Sequence, residues 1–308
     1  MDRVDLKLGF ACNNRCVFCV QGNKREEHGA RSLERIRHDL REGRRQGAIE
    51  LVITGGEPTL QQHLLKVIRL ARQLGYQRVQ IQTNGRRFVY AEACKAAVAA
   101  GANEFSPALH GAAAETHDRL TSAPGSHEQT LGAIRNLVAL GQRVVTNTVI
   151  TSLNFEELPD LARLFVSLGV YQFQFAYVHI VGTAAENSSW LVPRKRDIMP
   201  YVFEGLRIGR DAGVRCMTEA IPFCLMPGYE DFVAERIMPD ARVYDADQVI
   251  NDYTAYRRGE GKAKRDACVE CRWDRECEGP WREYPELFGW EEFVPVPRDE
   301  QAGAVAHE

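Results

Sequence analysis

The chain has 308 residues, of which 44% are hydrophobic and 26% charged, with a formal net charge of −3. It is long enough to bury a sizeable core, and its charge gives no electrostatic reason to bind nucleic acid or an anionic membrane. There is no run of about 18 apolar residues, and MDRVDLKLGF carries no basic-then-apolar signal, so a cytoplasmic protein without a membrane span is expected.

Strand-like segments fall at 4–10, 49–54, 78–83, 103–109, 142–150 and 171–178, separated by helical patterns. In 59–74, Leu60, Leu64, Val67, Ile68, Ala71 and Leu74 make one apolar stripe. In 154–168, Asn154 and Glu157 read as a capping-box-like start before Leu158, Leu161, Leu164, Phe165 and Leu168. Glycines at 47, 75, 101, 141 and 169 stand where each helix should stop and the chain turn back. Six β-α units in series predict an α/β fold with a parallel sheet, either doubly wound or an incomplete barrel. In both, the active site lies at the carboxyl ends of the strands. The alternation fails after about residue 215. A small, metal-stapled C-terminal domain is expected over 216–297, followed by a frayed tail at 298–308.

Nine cysteines without a signal peptide argue against a disulfide framework and for metal or catalytic use. Cys12, Cys16 and Cys19 have the spacing C-x3-C-x2-C, one thiol short of a full set for a tetrahedral metal or a four-iron cluster. The alternatives are a zinc knuckle, which usually needs a second nearby pair, or three unrelated buried thiols. Cys94, in AEACKAAVAA, reads as a small buried apolar residue.

With these cysteines after the first strand and Gly55-Gly56-Glu57-Pro58 after the second, residues 4–215 resemble the radical S-adenosylmethionine (radical SAM) superfamily. The resemblance implies a partial (β/α)6 TIM-like barrel with a small C-terminal iron–sulfur domain. It also implies a 4Fe-4S cluster on Cys12, Cys16 and Cys19, with one iron open for S-adenosylmethionine. Phe18 resembles the aromatic beside the adenine. Gly55, Gly56 and Glu57 resemble the loop that receives the methionine amino group through backbone atoms. Thr83, Asn84 and Asn147 fall where related enzymes touch S-adenosylmethionine or substrate. The chain departs from many relatives at PALHG, where Ala108 and His110 replace a serine or an acid, and near Asn147, where a basic residue is missing. The family's contacts to ribose and carboxylate are therefore not carried over to these positions.

His110 and His179 follow strands and are candidates for substrate contact or proton transfer; the bland reading is a hydrogen-bonded wall histidine. Tyr177 reads as packing. Cys268, Cys271 and Cys277 form C-x2-C-x5-C, and Cys224 can supply a fourth ligand, with Cys216 a spare. This group resembles the twitch or SPASM extensions that hold an auxiliary 4Fe-4S cluster, in the shorter single-cluster form; a structural zinc is the alternative. Arg272, Trp273, Trp281 and Tyr284 around it read as packing.

The expected activity is reductive cleavage of S-adenosylmethionine and hydrogen abstraction from an unactivated C–H. The auxiliary cluster favours a net oxidation, a dehydrogenation or cross-link, of a peptide or small molecule. Redox-neutral epimerisation or rearrangement and a non-catalytic electron carrier are the alternatives. The partners implied are the substrate and a reducing donor such as flavodoxin or ferredoxin. The first strand begins at residue 4, so a fused domain gripping a leader peptide is not expected, and a separate carrier protein stays open. Arg86 and Arg87 stand where an anionic group could be met.

Overall fold

The computed structural model describes residues 1–246 and 248–298. The six expected strands form as β1 (Arg3–Lys7), β2 (Glu50–Thr54), β3 (Arg78–Thr83), β4 (Glu104–Pro107), β5 (Arg143–Ile150) and β6 (Gln172–Tyr177). Three more join them: β7 (Arg215–Glu219), β8 (Ala241–Tyr244) and β9 (Val249–Ile250). The order is β7-β6-β5-β4-β3-β2-β1-β8-β9, parallel except for the antiparallel β8–β9 pair, and the two edges do not meet. This is an incomplete barrel with more strands than six β-α units supply. A boundary at 215/216 falls inside the barrel sheet, because β7 begins at Arg215 and β8 pairs with β1. Of the expected frayed tail, residues 299–308 lie outside the described residues.

Strand alternation separates two faces. Along β5 and β6, Val144, Ile150, Phe173 and Phe175 are buried. Phe173 and Phe175 pack under helix Lys195–Asp211, at Gly209 and Gly205. Opposite residues line the inner face and are largely polar: Gln80 bonds Glu104 at 2.6 Å and Gln174 bonds Glu219 at 2.5 Å. At the amino ends of β2–β5 the charges alternate. Arg78 pairs Glu50 at 2.6 Å and Arg143 pairs Glu104 at 2.8 Å, cross-strand neighbours that close the barrel floor.

All five junction glycines have positive φ, and Gly101 and Gly169 are the left-handed residues that end their helices. Two helix starts differ from expectation. Residues 58–60 form a 3-10 turn that leaves Leu60 exposed, and the helix runs Leu64–Gln73. Asn154 caps nothing: its Nδ2 donates to the carbonyls of His110 (2.7 Å) and Val149 (2.9 Å), tying the end of β5 to the loop after β4. Glu157 accepts from the amides of Ala112 (2.7 Å) and Ala113 (3.1 Å), so both polar residues stitch loops together.

Candidate functional site

Everything expected of the first site meets at the carboxyl ends of β1–β5. The loop after β2 is laced to the loop after β1: the Gly56 amide donates to the Gly9 carbonyl and the Glu57 amide to the Ala11 carbonyl, each at 2.8 Å. A Cβ on Gly56 would collide with the carbonyl oxygens of Phe10 and Ala11, so only glycine fits. Those two amides are spent on the protein, which leaves backbone carbonyls as the polar groups the loop can offer a ligand. The buried Glu57 carboxylate accepts from the Thr59 amide (3.0 Å) and hydroxyl (2.6 Å), the Thr83 hydroxyl (2.7 Å) and the Asn84 amide (2.7 Å). It pins the end of β2 to the end of β3, and it occupies the Thr83 hydroxyl. Burial raises its pKa, against those hydrogen bonds.

Cys12, Cys16 and Cys19 sit close enough to feel one another. Burial, then the charges of Cys19 and Cys12, push the Cys16 thiol up to about 12. Burial raises Cys12 as well, although its sulfur accepts from the Asn14 amide at 3.4 Å. Thiols so reluctant to ionise alone become thiolates against a metal's positive charge. Asn84 Nδ2 lies 3.9 Å from Cys12 Sγ and 2.7 Å from Asn13 Oδ1. Among the described residues no three of His, Cys, Asp or Glu close around a single metal ion. Three thiols on one loop, one short of a full set of four, fit an iron–sulfur cluster with a free coordination position.

Phe18 is buried with its ring edge on His110, centroids 4.6 Å apart. His110 Nδ1 accepts from the Val149 amide at 3.1 Å, and its own amide donates to His117 Nδ1 at 3.0 Å. Burial and the neighbouring His117 hold its pKa well below the usual value, so the ring is neutral with Nε2–H as its remaining donor. On β5, Asn147 Oδ1 is buried without a hydrogen-bond partner, an acceptor left for a ligand. After β6, the Thr183 amide donates to the Cys19 carbonyl at 3.0 Å, which brings the His179 loop to the cysteine loop. His179 stacks on Trp281 at 3.8 Å and 10°, with Nε2 3.7 Å from Glu283 Oε2. Burial, then Lys262, depress its pKa to about 4.

Cys224, Cys268, Cys271 and Cys277 line a second pocket, walled by Phe223, Trp290 and Phe293. Burial and the other three thiols push Cys224 up to about 12. The Gly279 amide reaches Cys277 Sγ and the Val296 amide reaches Cys271 Sγ, both at 3.4 Å. Cys216 points elsewhere, into the layer between β7 and helix Lys195–Asp211, 3.5 Å from the Leu206 carbonyl. Cys94 is buried against the Phe88 carbonyl.

A buried charge network invisible in the sequence supports the second pocket. Arg257 grips Glu278 through two hydrogen bonds of 2.9 and 2.8 Å. Lys262 pairs with Glu235 and lies 3.3 Å from Glu278. Lys195, at a helix start that reads as solvent-facing, is also fully buried. No spacing signal distinguishes these from surface charges.

Residues 6–165, more than half the chain, match the radical SAM superfamily. The chain belongs to that superfamily. The probable GTP 3′,8-cyclase of Saccharolobus solfataricus is 28% identical over 183 residues, covering 59% of this chain and 58% of the relative. The AdoMet-dependent heme synthase of Methanosarcina barkeri is 28% identical over 182 residues, covering 59% and 52%. The chain thus spans little more than half the length of the curated relatives it matches. Streptococcus suis SuiB bound to S-adenosylmethionine shares the fold with a TM-score of 0.66 at 16% identity, over 90% of this chain and 72% of that one. The hydrogenase maturase HydG from Carboxydothermus hydrogenoformans does so at 0.59 and 12%, over 75% and 56%.

Proposed function

We propose that this radical SAM enzyme carries out a net oxidation, a dehydrogenation or cross-link, of a peptide or small molecule, with an auxiliary 4Fe-4S cluster beside the radical site. Bound together, the first cluster and S-adenosylmethionine supply one-electron cleavage of the sulfonium and a hydrogen-abstracting 5′-deoxyadenosyl radical. The chain's residues position and enclose that chemistry. Cys12, Cys16 and Cys19 hold the cluster, and the loop Gly55–Gly56–Glu57 offers its carbonyls to the methionine amino group. Phe18 covers the adenine, and Asn84 and Asn147 supply polar contacts. His110 and His179 are neutral at physiological pH, so His110 can donate through Nε2–H and His179 can donate or accept one hydrogen bond at the barrel mouth without bringing a charge.

The observation that carries the oxidative reading is the second pocket: four thiols line it, and its lining carboxylate, Asp274, is ion-paired with Lys264 at 2.9 Å. Such a set fits a fully ligated cluster in a twitch/SPASM-like unit within 216–297, built onto the barrel through β7 and β8. A cytoplasmic flavodoxin or ferredoxin would supply the reducing electron. A redox-neutral rearrangement is the second reading, favoured by the similarity to relatives named as GTP 3′,8-cyclases.

The test is anaerobic reconstitution followed by dithionite and S-adenosylmethionine. The expected result is about eight irons per chain and release of 5′-deoxyadenosine. No 5′-deoxyadenosine with any candidate substrate would overturn the assigned activity. About four irons with one zinc would overturn the auxiliary cluster.

A further inference from the structure

Three arginines meet on the solvent side of the first cysteine loop, where Ala11, Asn13 and Arg15 are exposed. Arg15 Nη1 donates to the carbonyls of Cys12 (2.8 Å) and Asn14 (3.1 Å), and Arg25 Nη1 reaches the same Asn14 carbonyl at 3.1 Å. Arg86, from the turn after β3, donates to the Asn13 carbonyl at 2.5 Å and to Asn14 Oδ1 at 3.0 Å, while Gln129 holds its Nε at 2.6 Å. Three guanidinium groups thus crowd the short stretch Cys12–Asn14. Like charges this close repel one another, and every acceptor they have there is neutral. Among the described residues none of the three has a carboxylate within ion-pair distance.

The carboxylates on the adjoining segments are engaged elsewhere or stand apart. Glu57 is buried on Thr59, Thr83 and Asn84. Asp118 accepts from the Gly125 amide, the Ser126 hydroxyl and the His127 amide at 2.5, 2.9 and 2.8 Å. Glu27 lies 3.9 Å from His28, and Glu26, exposed next to Arg25 in sequence, makes no ion pair with it. Arg87 follows Arg86 and is exposed. Arg119 is exposed on helix Ala114–Thr121, whose Leu120 and Thr121 carbonyls accept from the Val17 and Arg15 amides. Both add to the same sign of charge.

We propose that Arg15, Arg25 and Arg86 form the docking patch for an acidic one-electron carrier, a flavodoxin, that reduces the first cluster. This rests on the reading of Cys12, Cys16 and Cys19 as a cluster site. The carbonyl that Arg15 holds belongs to Cys12 itself, so a partner resting on Arg15 stands a few covalent bonds from a cluster ligand. Electron tunnelling falls steeply with distance, which favours entry at this face. The carrier's surface carboxylates would supply the negative charge that the patch lacks. Complementarity of this kind speeds encounter and makes it salt-dependent. In the transfer one electron leaves the carrier and enters the cluster; no bond forms or breaks and no proton moves.

The test uses the reconstituted full chain, Arg15→Gln/Arg25→Gln, which removes two charges, and Arg15→Lys/Arg25→Lys, which keeps them. Oxidised flavodoxin is titrated onto each chain at low and high salt. Release of 5′-deoxyadenosine is then driven either by reduced flavodoxin or by reduced methyl viologen, a small cation that needs no basic patch. In the glutamine pair, flavodoxin binding and flavodoxin-driven release should each fall roughly tenfold, with methyl viologen-driven release unchanged. The lysine pair should stay near wild type, and high salt should bring wild-type binding down to the level of the glutamine pair. Unchanged flavodoxin affinity in the glutamine pair overturns the proposal. An equal fall with both donors also overturns it, because the arginines then only hold the cysteine loop. Absence of 5′-deoxyadenosine with either donor, or of iron at the first site, defeats the cluster reading instead. The titration still decides docking in that event: no binding to wild type, or binding indifferent to salt, overturns it.

Discussion

Cys12, Cys16 and Cys19 come from one loop after one strand, whereas Cys224, Cys268, Cys271 and Cys277 come from two distant stretches of chain. The first loop presents its thiols from eight consecutive residues, and its backbone is tied by Arg15 and Arg25 nearby and by Arg86, Thr183 and Asn187 from farther off. The second pocket rests on a buried lattice of Lys262, Glu235, Glu278 and Arg257. The contrast teaches that a local motif can be borne by backbone geometry, while a site gathered from far-apart segments has to be held by the packing of the fold itself.

The sharpest break of that comparison is to remove one thiol from each site. Cys16→Ala is expected to abolish 5′-deoxyadenosine formation and release about four irons, whereas Cys277→Ala should lose a similar amount yet still cleave S-adenosylmethionine. Equal loss of cleavage in both would show that the sites do not act separately.

Next in size is Glu278→Gln, which strips the carboxylate from Arg257 and Lys262 where its side chain is 1% exposed. Lys262 keeps Glu235, but leaving Arg257 buried without its carboxylate costs roughly 3–5 kcal/mol. Denaturant unfolding should register that loss, with iron lost from the second site before the first. An effect within about 0.5 kcal/mol, typical of surface changes, would mean the network does not hold the pocket.

The smallest effect concerns the first site's wall. Burial, then the charge of His127, depress the His117 pKa to about 4, while Asp118 opposes them. The folded state thus resists a proton that the unfolded chain accepts near pH 6.5. His117 contributes full stability at neutral pH and loses it as pH falls from about 6.5 towards 4, by up to about 3 kcal/mol. Urea titrations at pH 7 and pH 4.5 should show the loss, and His117→Asn, whose carbonyl can still accept the His110 amide, should flatten it. Parallel slopes in both proteins would assign the acid sensitivity elsewhere.

The barrel was legible where chemistry is local. Strands β1–β6 alternate cleanly and their helices end at glycines, so their places could be read. β7 and β8 could not: RCMTE and ARVY are short, flanked by irregular chain, and become strands only because β6 and β1 offer edges. The sequence likewise left Cys216 and Cys224 open as alternatives; the side-chain direction that separates them comes from the packing of β7 under a helix. Asn154 looked like a cap because caps and loop ties use the same side chain. Lys195 and Glu278 look like any surface charge, since only the completed fold removes them from water.

One pairing has a consequence for how the chain comes to be made. β1 is flanked by β2 on one side and by β8 on the other, so Ala241–Tyr244 cover the edge of a strand begun at Arg3. On the ribosome, the strand that leads into the first cysteines carries an open edge until most of the chain has emerged. Contacts of such long sequence separation form slowly, and unpaired edges invite association. The strand that leads to Cys12, Cys16 and Cys19 is therefore paired on both sides only when Ala241–Tyr244 arrive, late in synthesis.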